Sequence, residues 1–170
     1  MQIDIGFGDA VYPEPEFTSF PVLLPMDAPL IRAYPREAAI AERFNAMVLL
    51  DIRNSRMKDF YDIWFMANTW TFEMAPLRSA ILASFERRGV AIPQDVPFAL
   101  TAEFLNDSQK KQQWSAFVGR LYPGTKAPSL KEVGTLLRDF LLPCIFSVPP
   151  SGSDTRRWAP SLPWTENKPQ

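Results

Sequence analysis

Asn54-Ser55-Arg56-Met57-Lys58-Asp59-Phe60-Tyr61-Asp62-Ile63-Trp64 decides the reading of this chain. Phe60, Ile63, Trp64 and Ala67 recur at i, i+3, i+4 and i+7, the stripe of a helix with one buried face. Ser55 stands where an N-cap is expected. Asp59 and Asp62 are three apart and are expected on the face opposite the stripe. Lys58 and Asp62 are four apart and able to pair along the helix. Arg53, Arg56 and Lys58 gather at the helix start. One reading of these charges is a solvated helix start, with acid favoured by the helix dipole. The other is an anion site, where three cations at a helix N-terminus suit a triphosphate or an RNA backbone.

Outward from this stretch the helical period continues. Ile40, Phe44, Met47 and Val48 predict a preceding helix, with Pro35 in its first turn. It carries Glu37, Glu42 and Arg43 away from the apolar face, either as mixed surface charge or with Arg43 on a phosphate and a carboxylate fixing its plane. Leu77, Ala80, Ile81, Ser84 and Phe85 mark a third helix, ended by Gly89, with Arg87 and Arg88 suited to its C-terminal dipole. Trp114, Phe117, Val118 and Leu121 mark a fourth, behind Lys110 and Lys111. Ser129 and Glu132 have capping-box spacing ahead of Val133, Leu136, Leu137, Phe140 and Leu141, and Pro143 is expected to close that helix.

The N-terminal part reads differently. Gln2-Ile3-Asp4-Ile5-Gly6-Phe7 alternates polar and apolar as a half-buried strand does. Residues 8–17 read as a loop, and Phe20–Leu24 and Leu30–Tyr34 as short extended pieces confined to edges by Pro21, Pro25 and Pro29. Asp4 faces away from Ile3 and Ile5, as a solvent-facing strand residue or as a metal-binding carboxylate of a phosphoryl-transfer site. Asp9 is a loop residue that offers a second acid. Beyond Pro149 the composition turns to Pro, Ser, Gly, Thr and Asn, and residues 147–170 are expected to form a disordered tail. Arg156-Arg157-Trp158 lies within it.

Composition bounds the chemistry. The chain has 170 residues, 46% of them hydrophobic and 22% charged, with a net charge of -1. That is enough chain for a real core, and no bulk basic field surrounds it. There is no histidine and a single cysteine, Cys144, so any chemistry rests on carboxylates, Lys and Arg, or a metal. Cys144 has no nearby base and reads as inert. No apolar run is long enough to span a bilayer, and the acidic N-terminus is unlike a signal peptide, so a soluble, cytoplasmic protein is expected.

In their order along the chain, several stretches resemble the AbiEii/AbiGii nucleotidyltransferase toxins. They are Ile3-Asp4-Ile5-Gly6-Phe7-Gly8-Asp9, Tyr34-Pro35-Arg36-Glu37 with Ala41-Glu42-Arg43, Asn54 to Asp62, Ser84-Phe85-Glu86-Arg87-Arg88 and the Trp114–Phe117 helix. The resemblance covers roughly residues 1–142. It implies an α/β-derived (α+β), mainly helical fold. A remnant of a polymerase-β-like nucleotidyltransferase sheet would occupy residues 1–34 and a helical C-terminal domain residues 35–146.

It further implies a toxin of a type IV toxin–antitoxin or phage-defence system. Such a toxin transfers NMP from NTP to RNA with Mg²⁺, in some members to the tRNA 3′ end, and is matched by a cognate antitoxin. By this resemblance Asp4 is a catalytic metal carboxylate and Asp59 or Asp62 the late catalytic acid. Arg43, Lys58 and Arg56 are the nucleotide-binding residues, with arginine at 43 where the family has lysine. The family's Gly-Ser loop and Asp-x-Asp strand precede the Asp4 motif. The chain is therefore expected to be the C-terminal part of a longer enzyme and inactive alone. The alternative is an inert interaction module or split-enzyme subunit, whose edge strand meets a second copy, a missing N-terminal half or an antitoxin.

Overall fold

The computed structural model describes residues 14–123, 127–146, 154–160 and 162–166. Gln2–Phe7, with Asp4 and Asp9, lies outside them. The architecture is mainly helical with two small antiparallel sheets, the α+β arrangement expected.

Five apolar stripes in the sequence become five helices: α1 (Arg36–Leu50), α2 (Met57–Thr69), α3 (Met74–Arg87), α5 (Ser108–Leu121) and α6 (Leu130–Phe146). A sixth, short helix, α4 (Ala102–Asn106), lies between α3 and α5. The Thr101 hydroxyl caps it by accepting from the Phe104 N–H at 3.3 Å. Asp107 then caps α5, accepting from the Lys110 N–H at 2.8 Å. Two caps so close together permit two helices where one stripe was visible.

Helix α1 packs on α3 and α2 packs on α6, around one core. Phe44 of α1 meets Phe85 of α3 with ring centroids 5.6 Å apart, and Phe60 of α2 stacks on Phe104 at 5.6 Å. Gly134 is where α6 approaches α4, because a Cβ there would overlap the Leu105 side chain. Gly89 ends α3 at φ 62. Val90 N–H then reaches the Phe85 carbonyl and Gly89 N–H the Glu86 carbonyl, both at 3.0 Å, which satisfies carbonyls the helix leaves open.

Several expectations are corrected. Ser55 does not cap α2; Arg56 holds the N-cap position, and its backbone N–H donates to Asn54 Oδ1 at 2.9 Å. The capping box of α6 forms, with Ser129 N–H to Glu132 Oε2 at 2.7 Å and Glu132 N–H to Ser129 Oγ at 3.2 Å. Pro143 does not end that helix, which runs on to Phe146 because Cys144 and Ile145 remain buried in the core. Leu121 is exposed rather than part of the buried stripe.

The strands also differ from the sequence reading. β1 (Glu16–Ser19) begins in the stretch read as loop and pairs antiparallel with β2 (Leu30–Ala33), while Phe20–Leu24 belongs to their connection. The disordered tail is corrected over its described part. β4 (Arg156–Ala159) joins β3 (Phe72–Glu73) on one edge and β5 (Leu162–Glu166) on the other. Its anchor is aromatic. Trp158 is buried, 4.9 Å from the Phe140 ring, and Trp164 stacks on Phe140 at 5.7 Å and lies 5.8 Å from Trp158, so the three rings meet in one triangle. Trp158 Nε1 donates to the Ala67 carbonyl at 2.8 Å and Trp164 Nε1 to the Phe140 carbonyl at 2.9 Å.

Candidate functional site

The charged residues singled out in the sequence meet where α1 passes the N-terminal half of α2. Arg43 sits on the partly exposed side of α1, one residue before the core residue Phe44. Its Nη1 donates to the Ala39 carbonyl one turn back at 2.9 Å, which fixes the side chain along its own helix. Nε and Nη2 then reach Asp62 Oδ2 on α2, at 3.0 and 2.9 Å. Lys58, one turn before Asp62, donates to the same oxygen. One carboxylate oxygen thus orients two cations on two helices. Lys58 is largely exposed, at 68%, so its ammonium stands at the surface.

Arg56 and Asp59 form a second pair. Arg56 Nε lies 2.9 Å from Asp59 Oδ2, outside hydrogen-bond angles, so that oxygen has no hydrogen bond within the protein. Asp59 is buried rather than on the outer face expected for it. The reason is helical geometry: position 59 lies one turn before Ile63 and shares the edge of the apolar face with Met66. Burial pushes its carboxyl above the usual Asp range, against the opposing pull of Arg56 and Arg43.

The loop before α2 is held by groups that no sequence pattern marked. α1 ends at Asp51 with φ 50, a backbone region that favours glycine, and a 3₁₀ turn over Asp51–Arg53 follows. Lys110 is buried at the start of α5. Its ammonium donates to the Asn54 carbonyl at 2.9 Å and lies 5.1 Å from the Phe104 ring centroid. The doublet Lys110-Lys111 was visible, but which lysine turns inward depends on the α4–α5 corner. Tyr61, beside Asp62, shares a 2.9 Å hydroxyl contact with Tyr122, and this hydrogen bond leads the effects that push its phenol up to about 12.

On the other side of α1, Glu42 takes part in a separate cluster. Its Oε1 accepts from the Ser84 hydroxyl at 3.2 Å and from Arg87, and its Oε2 accepts from Arg88. Glu37 stays in the first turn of α1, partly buried.

A magnesium site does not fit these side chains. Asp62 Oδ2 is engaged by Arg43 and Lys58, and Asp59 Oδ2 faces Arg56. Among the described residues no three acidic, His or Cys side chains converge. What the arrangement does suit is a multiply charged anion. A guanidinium locked in plane and an exposed ammonium beside it are geometries that phosphate oxygens accept.

Comparison with known proteins follows the same direction. Neither the curated proteins nor the solved structures give a match. Residues 1–136 match the family model described as nucleotidyl transferase AbiEii toxin, type IV TA system. That span includes the whole Arg43, Lys58, Asp59 and Asp62 constellation and most of the chain. The chain therefore belongs to the AbiEii family of nucleotidyl transferase toxins of type IV toxin–antitoxin systems.

Proposed function

We propose that the α1–α2 cluster holds the triphosphate of an NTP for NMP transfer to RNA, with the tRNA 3′ end as acceptor, in a system neutralised by a cognate antitoxin. The observation that carries this is the sharing of Asp62 Oδ2 between Arg43 and Lys58. Two cations on one carboxylate leave positive charge in excess at a fixed place, beside the Arg56–Asp59 pair. Asp62 then acts as a positioning residue, and Arg43 replaces the family's lysine with a fork that binds two oxygens at once. Asp59 is the acid that remains near the nucleotide.

The metal ions belong with Asp4 and with paired carboxylates that no Asp-x-Asp in this sequence supplies. On this reading the 170-residue chain does not transfer nucleotides unaided. Incubation with labelled NTPs, Mg²⁺ and total tRNA is expected to leave the RNA unlabelled. Label that enters tRNA, and is lost in Asp4→Ala, would sink the claim of inactivity. NTP, Mg²⁺ and tRNA share the cytoplasm, and among the described residues no helix is long and apolar enough to cross a membrane.

A second reading rests on the β1–β2 ribbon. Phe17, Leu23, Leu24, Met26 and Leu30 are all exposed on it, and among the described residues each strand pairs only with the other. An isolated two-stranded ribbon is marginal in water, and a patch of this kind marks an interface. A split enzyme or interaction module would use it to accept a partner. Light scattering decides: a monomer that stays monomeric at high concentration tells against self-association.

A further inference from the structure

The C-terminal hairpin and α6 enclose a hollow of about 690 Å³ whose walls include none of the Arg43, Lys58, Asp59 and Asp62 cluster. Ligand sites run from about 300 to 1,000 Å³, so the size fits one. Leu136 of α6, the buried Trp158, and Leu162 and Pro163 of β5 give it apolar walls. Leu162 is 57% exposed, so part of this apolar surface stands open to solvent. Trp158, Leu162 and Pro163 lie beyond residue 136, outside the span that matches the family model.

The free charges on these walls are of opposite sign. Lys131 and Asp139 both line the hollow, eight residues apart on α6 and roughly 12 Å apart along its axis, too far to neutralise each other. Among the described residues neither side chain has a hydrogen-bond or ion-pair partner. Glu132, the other acid on this wall, is engaged in the capping box, where it accepts from the Ser129 N–H. A complementary occupant is apolar in the middle, anionic toward Lys131 and cationic toward Asp139.

Length decides its class. Asp139 and Pro163 also border a second hollow of about 590 Å³, which runs on along α6 past Leu142 to the exposed Phe146. From Lys131 to Phe146 the helix covers roughly 22 Å. A compact molecule leaves most of that length empty, whereas an extended peptide covers it with about six residues. Arg138, at the rim of the second hollow, suits a carboxylate at the far end. Pro163 has no N–H to offer an added strand, so recognition falls to side chains rather than to the edge of β5.

We infer that the trough between α6 and β5 binds an extended segment of a partner protein. An acidic residue meets Lys131, apolar residues fill the first hollow, a basic residue meets Asp139 and apolar residues fill the second. The inference is independent of the nucleotide reading.

The test is fluorescence anisotropy of the whole chain with an N-terminally fluorescein-labelled Glu-Leu-Leu-Lys-Leu-Phe peptide. Beside it run the like-charged peptides Glu-Leu-Leu-Glu-Leu-Phe and Lys-Leu-Leu-Lys-Leu-Phe. The mixed peptide is expected to bind about fivefold more tightly than either, the scale of one exposed ion pair. Asp139→Lys is expected to reverse the choice in favour of Glu-Leu-Leu-Glu-Leu-Phe, and Leu162→Ser to weaken all three about tenfold. Both positions are exposed, so urea unfolding of the two variants is expected to match wild type. Equal affinity for the three peptides, or a preference that Asp139→Lys leaves unchanged, overturns the inference. So does a chain that binds none of them at millimolar peptide. Glu-Leu-Leu-Lys binding as tightly as the full peptide confines recognition to the first hollow and overturns the extended segment. A chain that self-associates and becomes monomeric in Leu162→Ser overturns it too, by giving the trough to a second copy.

Discussion

Replacing Trp158 by alanine tests whether the C-terminal hairpin is part of the folded core. The indole is 5% exposed, lies 4.9 Å from Phe140 and 5.8 Å from Trp164, and bonds the Ala67 carbonyl. Ala67 is in the last turn of α2, where carbonyls have no partner within the helix, so the indole N–H closes one of them. Truncating a buried Trp costs about 3–5 kcal/mol, and the lost hydrogen bond is included in that figure. Against a typical total of about 5–15 kcal/mol this is a large share. For a chain of this length each kcal/mol moves the midpoint by about 2–4 °C, so Tm should fall by roughly 6–20 °C.

Urea unfolding followed by circular dichroism measures the loss. Trp158→Phe separates the terms, because it keeps a ring against Phe140 and removes the donor; about 1–2 kcal/mol is expected for it. A Trp158→Ala cost below about 1 kcal/mol would refute the reasoning, because a side chain on a loose tail has nothing to lose.

Other consequences follow from the same geometry. Asp59 holds its proton to higher pH in the fold than in the unfolded chain, so the fold binds more protons in that window. Stability should therefore fall as pH rises from 3.8 through the raised pKa, by at most about 1.4 kcal/mol per pH unit, and Asp59→Asn should remove that slope in a pH series of urea melts. Gly134→Ala places a methyl against Leu105 and should cost about 1–3 kcal/mol by urea unfolding, with partial relief in Leu105→Ala/Gly134→Ala. The Cys144 thiol is buried and pushed up to about 12 by loss of hydration, so a disulfide reagent should label it only on unfolding.

The helices were legible because their apolar residues recur every third or fourth position and need no distant partner to be seen. The capping box at Ser129 and Glu132 is local in the same sense. What sequence could not show depends on contacts between distant segments. Trp158 and Trp164 look like two aromatics in a Pro- and Ser-rich end until both pack against Phe140. The burial of Asp59 turns on where the edge of the α2 apolar face falls, and that edge is set by packing. The charges that crowd the start of α2 were visible in the sequence, and the structure pairs both Arg43 and Lys58 with Asp62. The inward turn of Lys110 and the Tyr61–Tyr122 contact were not visible, since α5 and its flanking loop reach the site from more than fifty residues away.

The claim at the centre is that Arg43 and Lys58 hold a triphosphate. Thermal unfolding with each NTP, with and without Mg²⁺, tests it directly. Saturation near a hundredfold over Kd stabilises the fold by about 2.7 kcal/mol, a rise of roughly 5–10 °C, and Arg43→Gln or Lys58→Ala should abolish it. A wild-type chain that no NTP stabilises, or variants that respond as wild type does, would contradict the account.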